Sequence, residues 1–289
     1  MTLGNQPSAP TAGGPTGAER KGSEMEIKVL GPLTAHEHGQ SVVPTAAKPR
    51  QILALLALRA DHVVTVPMLM EEIWGEDVPR SAATTLQTYI LQLRRKLAMA
   101  LDGDPTRRAK DVLVTRHGGY LLNLQPGNVD VREFEALAAS GRAAYDAGDH
   151  RAASELIGAA LALWQGPALV DVRIGTVLEL EVLRLTEEQM ACLERRIDAD
   201  LRLGRHTEIV PELQVLVARH PMHENFCAQL MTALHRAGGS WRALEAYQRL
   251  RGTLSDELGL DPSPKLQRLH QAVLSADPAL DFEVAVAAR

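Results

Sequence analysis

The chain has 289 residues, 45% hydrophobic, 23% charged and 3% aromatic, a composition that describes a soluble globular protein with room for two domains. A core drawn from Leu, Ala and Val favours helices over a large sheet, so a mainly α protein is expected. A net charge of −5 excludes a chain that coats nucleic acid uniformly, no run reaches the ~18 apolar residues of a membrane span, and no basic-then-apolar leader opens the sequence.

The charge divides along the chain. From Arg80 to Arg116 eight Lys/Arg stand against three Asp, whereas from Pro126 onward 17 Lys/Arg stand against 24 Asp/Glu. A basic segment beside an acidic module fits a local contact with a polyanion, although charge runs are usually solvated faces. Cys192 and Cys227 fall inside helical patterns and read as buried thiols in a reducing cytoplasm, not as a disulfide or a metal set.

Residues 1–24 are Gly, Pro, Ser and Thr without periodicity, and a disordered tail is expected there. Order begins at Met25. Glu26 to Leu30, Leu33 to Ala35 and Ser41 to Val43 are strand-like runs that fit an antiparallel sheet of three or four strands. Gln51 to Leu58 is apolar on most faces and predicts a central helix. Val63-Val64 adds a short strand. Thr65 then N-caps a helix with Pro67 in its first turn, which ends at Trp74-Gly75. Glu76 to Arg80 makes a loop, and Ser81 N-caps the next helix, giving a helix-turn-helix with a long turn.

That next helix, Ser81 to Leu97, organises the chain. Leu86, Ile90, Leu93 and Leu97 recur at spacings of 4, 3 and 4 and make one apolar stripe. Gln87, Thr88, Leu91 and Gln92 lie off the stripe, with Arg94, Arg95 and Lys96 in the last turn. Mid-helix amides and hydroxyls can meet base edges and terminal cations can meet phosphates. An ordinary surface helix whose cations complement its dipole has the same pattern.

After a polar, basic connector from Asp102 to Lys110, Val112 to Arg116 and Tyr120 to Leu124 flank His117-Gly118-Gly119, a hairpin signal. Strands, three helices and a terminal hairpin in that order make a winged helix, with Arg116, His117 and Gly118 at the wing. From residue 130 to 276 the pattern is helix after helix. Gly148, Gly204 and Gly238 each precede a new helix, at intervals of 56 and 34 residues, the second being the tetratricopeptide period. The helices are expected at about 131–148, 151–164, 177–203, 207–219, 224–237, 241–258 and 264–274.

Ile73-Trp74-Gly75, Thr85 to Leu97 and Gly118-Gly119-Tyr120-Leu121-Leu122 resemble the DNA-binding domain of the Streptomyces antibiotic regulatory proteins, a branch of the OmpR-type winged helices. Leu258-Gly259-Leu260-Asp261-Pro262-Ser263-Pro264 to His270 resembles the close of the same family's bacterial transcriptional activation domain. The resemblance implies an N-terminal winged helix-turn-helix (25–125), a tetratricopeptide-like all-α domain (126–277) and a C-terminal tail (278–289). It also implies that Gln87, Thr88, Leu91 and Gln92 face bases, while Thr84, Arg94, Arg95, Lys96 and Arg116 meet phosphates. Leu91 departs from the polar residue common there and would meet a thymine methyl. Tyr89 either packs in the core or bonds a phosphate.

By the same resemblance, the partners are double-stranded DNA carrying direct repeats near the promoter's −35 element, a second copy of the chain on that DNA, and RNA polymerase holoenzyme with its sigma factor. Glu76 and Asp77 would face the polymerase; the alternative is that they are solvated turn residues. The implied role is activation of a secondary-metabolite gene cluster. No nucleotide-binding loop, paired C-x-x-C, H-E-x-x-H or G-x-S-x-G occurs. The scattered histidines read as caps or surface residues, so no enzyme, cofactor, metal or membrane association is expected. A competing reading is a helical-repeat scaffold or peptide-binding module whose winged helix binds protein.

Overall fold

In a computed structural model, residues 25–102, 104–124 and 127–280 are described; the expected tail at 1–24 lies outside them, as does 281–289. Strands β1 (Glu26–Lys28), β2 (Thr34–Glu37) and β3 (Gln40–Ser41) form an antiparallel meander with Ile27 opposite Ala35 and His36 opposite Ser41. It has three strands, at the low end of the expectation. Val42-Val43 lies beyond β3, although Val42 N still bonds Ala35 O at 2.9 Å.

Helix α1 (Ala47–Leu58) is buried along almost its whole length, as its apolar run requires. Then come β4 (Val64–Thr65), α2 (Val66–Trp74), α3 (Ala82–Ala100), a four-residue α4 (Ala109–Val112), and β5 (Leu113–Arg116) with β6 (Gly119–Leu122). The strand expected at Val63-Val64 falls one residue later and joins the hairpin, in the order β4-β6-β5. The end of the polar connector and Val112, expected to open the next strand, instead form α4, where the Asp111 carboxylate accepts from Arg108 N at 3.0 Å. Such a local cap has no hydrophobic period to announce it.

Seven helices follow: α5 (Asp130–Asp146), α6 (His150–Ala162), α7 (Thr176–Arg202), α8 (His206–Arg219), α9 (Glu224–Arg236), α10 (Ser240–Leu258) and α11 (Pro264–Leu274). Each falls within two residues of its expected span. Three of the turns between them share one closure. Gly148, Gly204 and Gly238 have φ of +83°, +78° and +79°, and the next residue's N–H reaches back five positions, Asp149 to Ala144, Arg205 to Asp200 and Gly239 to Leu234, at 2.8–3.0 Å. A left-handed residue with that return bond is how a helix satisfies its last carbonyls, and glycine adopts it without penalty.

The hydrophobic packing does not divide at residue 125. One core runs from Met25 to Cys192 and a second from Ile197 to Val273. Polar ties stitch the winged helix to α5–α7. The Asp130 carboxylate accepts from Val29 N and Leu30 N at 2.9 and 3.0 Å. Arg59 pairs with Glu181 at 2.7 Å, and Arg50 pairs with Asp171. Glu72, 2% exposed, accepts from Gln51 Nε2, Gly175 N and Leu178 N at 2.6, 2.6 and 2.8 Å. The tail expected from 278 begins as a 3-10 turn, Pro278–Leu280, and Leu280 O accepts from Arg236 at 2.7 Å.

Candidate nucleic-acid interface

Thr65 caps α2 by accepting from Met68 N at 3.3 Å, with Pro67 in the first turn where its missing N–H removes no helical bond. Gly75 has φ of +57° and closes the helix on Glu71 O at 2.7 Å. Residues 75–81 are all exposed, Glu76 and Asp77 among them. Ser81 occupies the N-cap of α3, but its side chain accepts no helix N–H; its carbonyl instead accepts from the Thr85 hydroxyl at 2.9 Å.

Ala82, Leu86, Ile90, Leu93, Leu97 and Ala100 are the buried residues of α3. This stripe fixes the rotation of the helix. It leaves Thr84, Gln87, Thr88, Leu91, Gln92 and Arg95 exposed on the opposite side. Leu91 is 49% exposed, a large apolar group that the core does not use. Within the described residues neither the Gln87 nor the Gln92 side chain makes a hydrogen bond, so both amides retain donors and acceptors for an outside partner. The Thr88 hydroxyl donates to Thr84 O at 3.0 Å, which leaves its lone pairs and methyl facing outward. Tyr89 is half-buried and its ring stacks on Trp74 with centroids 6.5 Å apart.

The cations separate by environment. Arg95 is exposed and Lys96 half-buried, and neither has an ion pair within the described residues. Arg94 is turned toward β5: its Nε and Nη2 donate to Leu113 O at 3.0 and 2.8 Å, and Nη2 donates to Thr115 Oγ1 at 2.7 Å. These bonds hold the Arg94 guanidinium against the start of β5, which α4 brings beside α3, and leave Nη1 without a partner among the described residues.

The wing turn is His117-Gly118, with Arg116 and His117 exposed at its tip. Gly118 has φ of +78°, and its carbonyl accepts from Val66 N at 2.9 Å. A Cβ on Gly119 would stand 2.2 Å from Val64 O, so only glycine allows β6 to lie this close to β4. Wing and α2 are thereby joined. The connector is held at Glu37, wholly buried, whose carboxylate accepts from Arg107 at 3.0 Å. Burial pushes the Glu37 carboxyl above the usual range, against the pull of Arg107.

Two structural residues were absent from the sequence reading. Glu72 had a signal, since it sits between Leu69 and Ile73 on the buried face of α2. Glu37 had none, lying in the polar run His36 to Gln40. His223 caps α9, its Nδ1 accepting from Phe226 N at 3.4 Å, and His235 Nδ1 lies 3.0 Å from Ser240 Oγ. Among the described residues no group of three or more His, Cys, Asp or Glu is placed to hold a metal ion, and no helix is long and apolar enough to cross a membrane.

Residues 39–122 match the family described as transcriptional regulatory protein, C terminal, and residues 129–274 match the bacterial transcriptional activator domain. The chain is 54% identical over 257 residues to regulatory protein DnrI of Streptomyces peucetius, covering 89% of this chain and 94% of that one. The chain belongs to the Streptomyces antibiotic regulatory protein family. Regulatory protein AfsR of Streptomyces coelicolor is 38% identical over 91% of this chain, but the match spans 25% of that longer protein. The structure of Mycobacterium tuberculosis EmbR in complex with a low affinity phosphopeptide superposes with a TM-score of 0.80 at 30% identity, over 89% of this chain and 68% of that one. Family members named as transcriptional regulators thus share both halves of this chain in the same order.

Proposed function

We propose that the protein is a sequence-specific DNA-binding activator that recruits RNA polymerase to promoters of an antibiotic or other secondary-metabolite gene cluster. The observation that carries this reading is the exposed face of α3, where unbonded Gln87 and Gln92, Thr88 and Leu91 sit between Thr84 and Arg95 on a helix whose rotation is fixed by its buried stripe. In this reading Gln87, Thr88, Leu91 and Gln92 meet base edges in the major groove. Thr84, Arg95, Lys96 and Arg116 meet phosphates, and the wing at His117-Gly118 lies along the adjacent backbone.

Two copies bind direct repeats near the −35 element, head to tail, and need not form a two-fold dimer when free. Glu76 and Asp77 stand in the exposed loop before α3 and face basic residues of a sigma factor. In this reading the protein acts in the cytoplasm, where DNA and polymerase are.

The test is a mobility-shift titration with promoter DNA from neighbouring genes. Gln92→Ala is expected to relax preference at one base position, a cost of about 1–3 kcal/mol. Arg95→Ala is expected to weaken all sequences alike and to lower the salt slope by about 0.9. Equal effects of the two on specificity, or no DNA binding, overturn the reading. Glu76→Ala with Asp77→Ala is expected to preserve promoter affinity while lowering transcription by purified holoenzyme.

A further inference from the structure

Arg94 connects α3 to the wing, and the bond geometry says what that connection does. Asn123 N bonds Val112 O at 2.8 Å, which makes the neighbouring Leu113–Leu122 pair one without mutual hydrogen bonds. The Leu113 carbonyl therefore turns away from β6. Because β5 is the edge strand of the order β4-β6-β5, that carbonyl has no strand to meet. Arg94 supplies both Nε and Nη2 to it, and Nη2 also reaches the Thr115 hydroxyl.

The hairpin is held on its other side by β4, through the β4–β6 pairing and the Val66 N to Gly118 O bond. Arg116 follows Thr115 directly and is exposed.

We propose that Arg94 is a positioning residue that fixes the β5 edge of the wing against α3, so that Arg116 and His117 are presented in register with the base-reading face. This rests on the DNA-binding reading above. The role demands arginine: a planar fork places two N–H groups on one carbonyl and a third on a hydroxyl, whereas a lysine ammonium is a point charge on a flexible stem. The adjacent Arg95, exposed and without an ion pair among the described residues, is the contrasting cation and the control.

The experiment is hydrogen exchange of wing amides in the full chain, paired with salt-dependent titration of promoter DNA. Arg94→Ala and Arg94→Lys are both expected to raise exchange at Val114, Arg116, Gly119 and Leu121, the hydrogen-bonded pairs of the β5–β6 ladder, by about tenfold, the scale of one charged hydrogen bond, while Arg95→Ala leaves it unchanged. Thr115→Val, which removes one bond and no charge, should raise exchange at the same amides to a smaller extent, and it carries the test if Arg94→Ala does not fold.

On DNA, Arg94→Ala and Arg94→Lys should lose affinity alike, and Arg116→Ala should cost little more in the Arg94→Ala background. Unchanged wing exchange in the Arg94 variants overturns the proposal. So does wild-type affinity in Arg94→Lys with costs that add to Arg116→Ala. Altered wing exchange in a chain whose wild type binds no DNA overturns the proposed function and leaves the Arg94 tie standing.

Discussion

The core from Met25 to Cys192 and the core from Ile197 to Val273 are held together differently. In the first, elements far apart in sequence are bonded through carboxylates: buried Glu72 of α2 receives the N–H groups of Gly175 and Leu178 at the start of α7, and half-buried Asp130 of α5 receives those of Val29 and Leu30. In the second, α8, α9, α10 and α11 pack on their neighbours in sequence, as stacked repeats do. The difference teaches that the winged helix is one unit with the first repeat helices. The change of fold type comes near residue 126, but the change of core comes inside α7, which lends Leu178, Leu185 and Cys192 to one side and Ile197 and Leu201 to the other.

The largest expected effect is from Glu72→Ala. It strands the Gly175 and Leu178 N–H groups in a dry interior and leaves Gln51 only its bond to the residue 72 carbonyl, a loss of about 3 kcal/mol or more. Trp74 and Trp164 pack against the first core, so their emission follows that unit during urea unfolding, while exposure of the buried Cys227 thiol follows the second. The loss should appear in the first unit's transition, and an equal shift of both would merge the units. Gly175→Ala comes next, at about 1–3 kcal/mol, because its Cβ would stand 2.1 Å from the Glu72 carbonyl.

A third test uses the thiols as reporters. Burial pushes Cys227 up to about 12 and raises Cys192 as well, so neither should be alkylated in the native protein at pH 8. In rising urea, Cys192 labelling should follow the first unit and Cys227 the second.

The smallest effect is a pH dependence. Burial raises Asp130 above its ordinary 3.8, against the backbone donors of Leu30 and Val29. Between those two values the folded state holds more proton than the unfolded one, so the first unit loses stability as pH rises through that window. Asp130→Asn should flatten this slope in urea titrations at several pH values while leaving the second unit's profile as it was.

Periodic information was legible in the sequence. The stripe Leu86-Ile90-Leu93-Leu97 gave the rotation of α3 and so the exposed Gln87, Thr88, Leu91 and Gln92, and the glycine punctuation placed the repeat helices. What stayed hidden was set by tertiary neighbours. Arg94 and Arg95 are identical in type and adjacent, yet one meets a strand edge 19 residues away and the other meets solvent. Likewise, nothing in the run Asp102 to Lys110 reports that Arg107 finds Glu37, 70 residues earlier.

The most direct test of the single front unit compares two fragments, 25–125 and 25–203, by urea unfolding and promoter titration. The account predicts that 25–203 unfolds cooperatively and binds DNA with the intact chain's affinity per site, while 25–125, lacking Asp130, Asp171 and the start of α7, does neither. Cooperative folding and equal DNA affinity of 25–125 would contradict it.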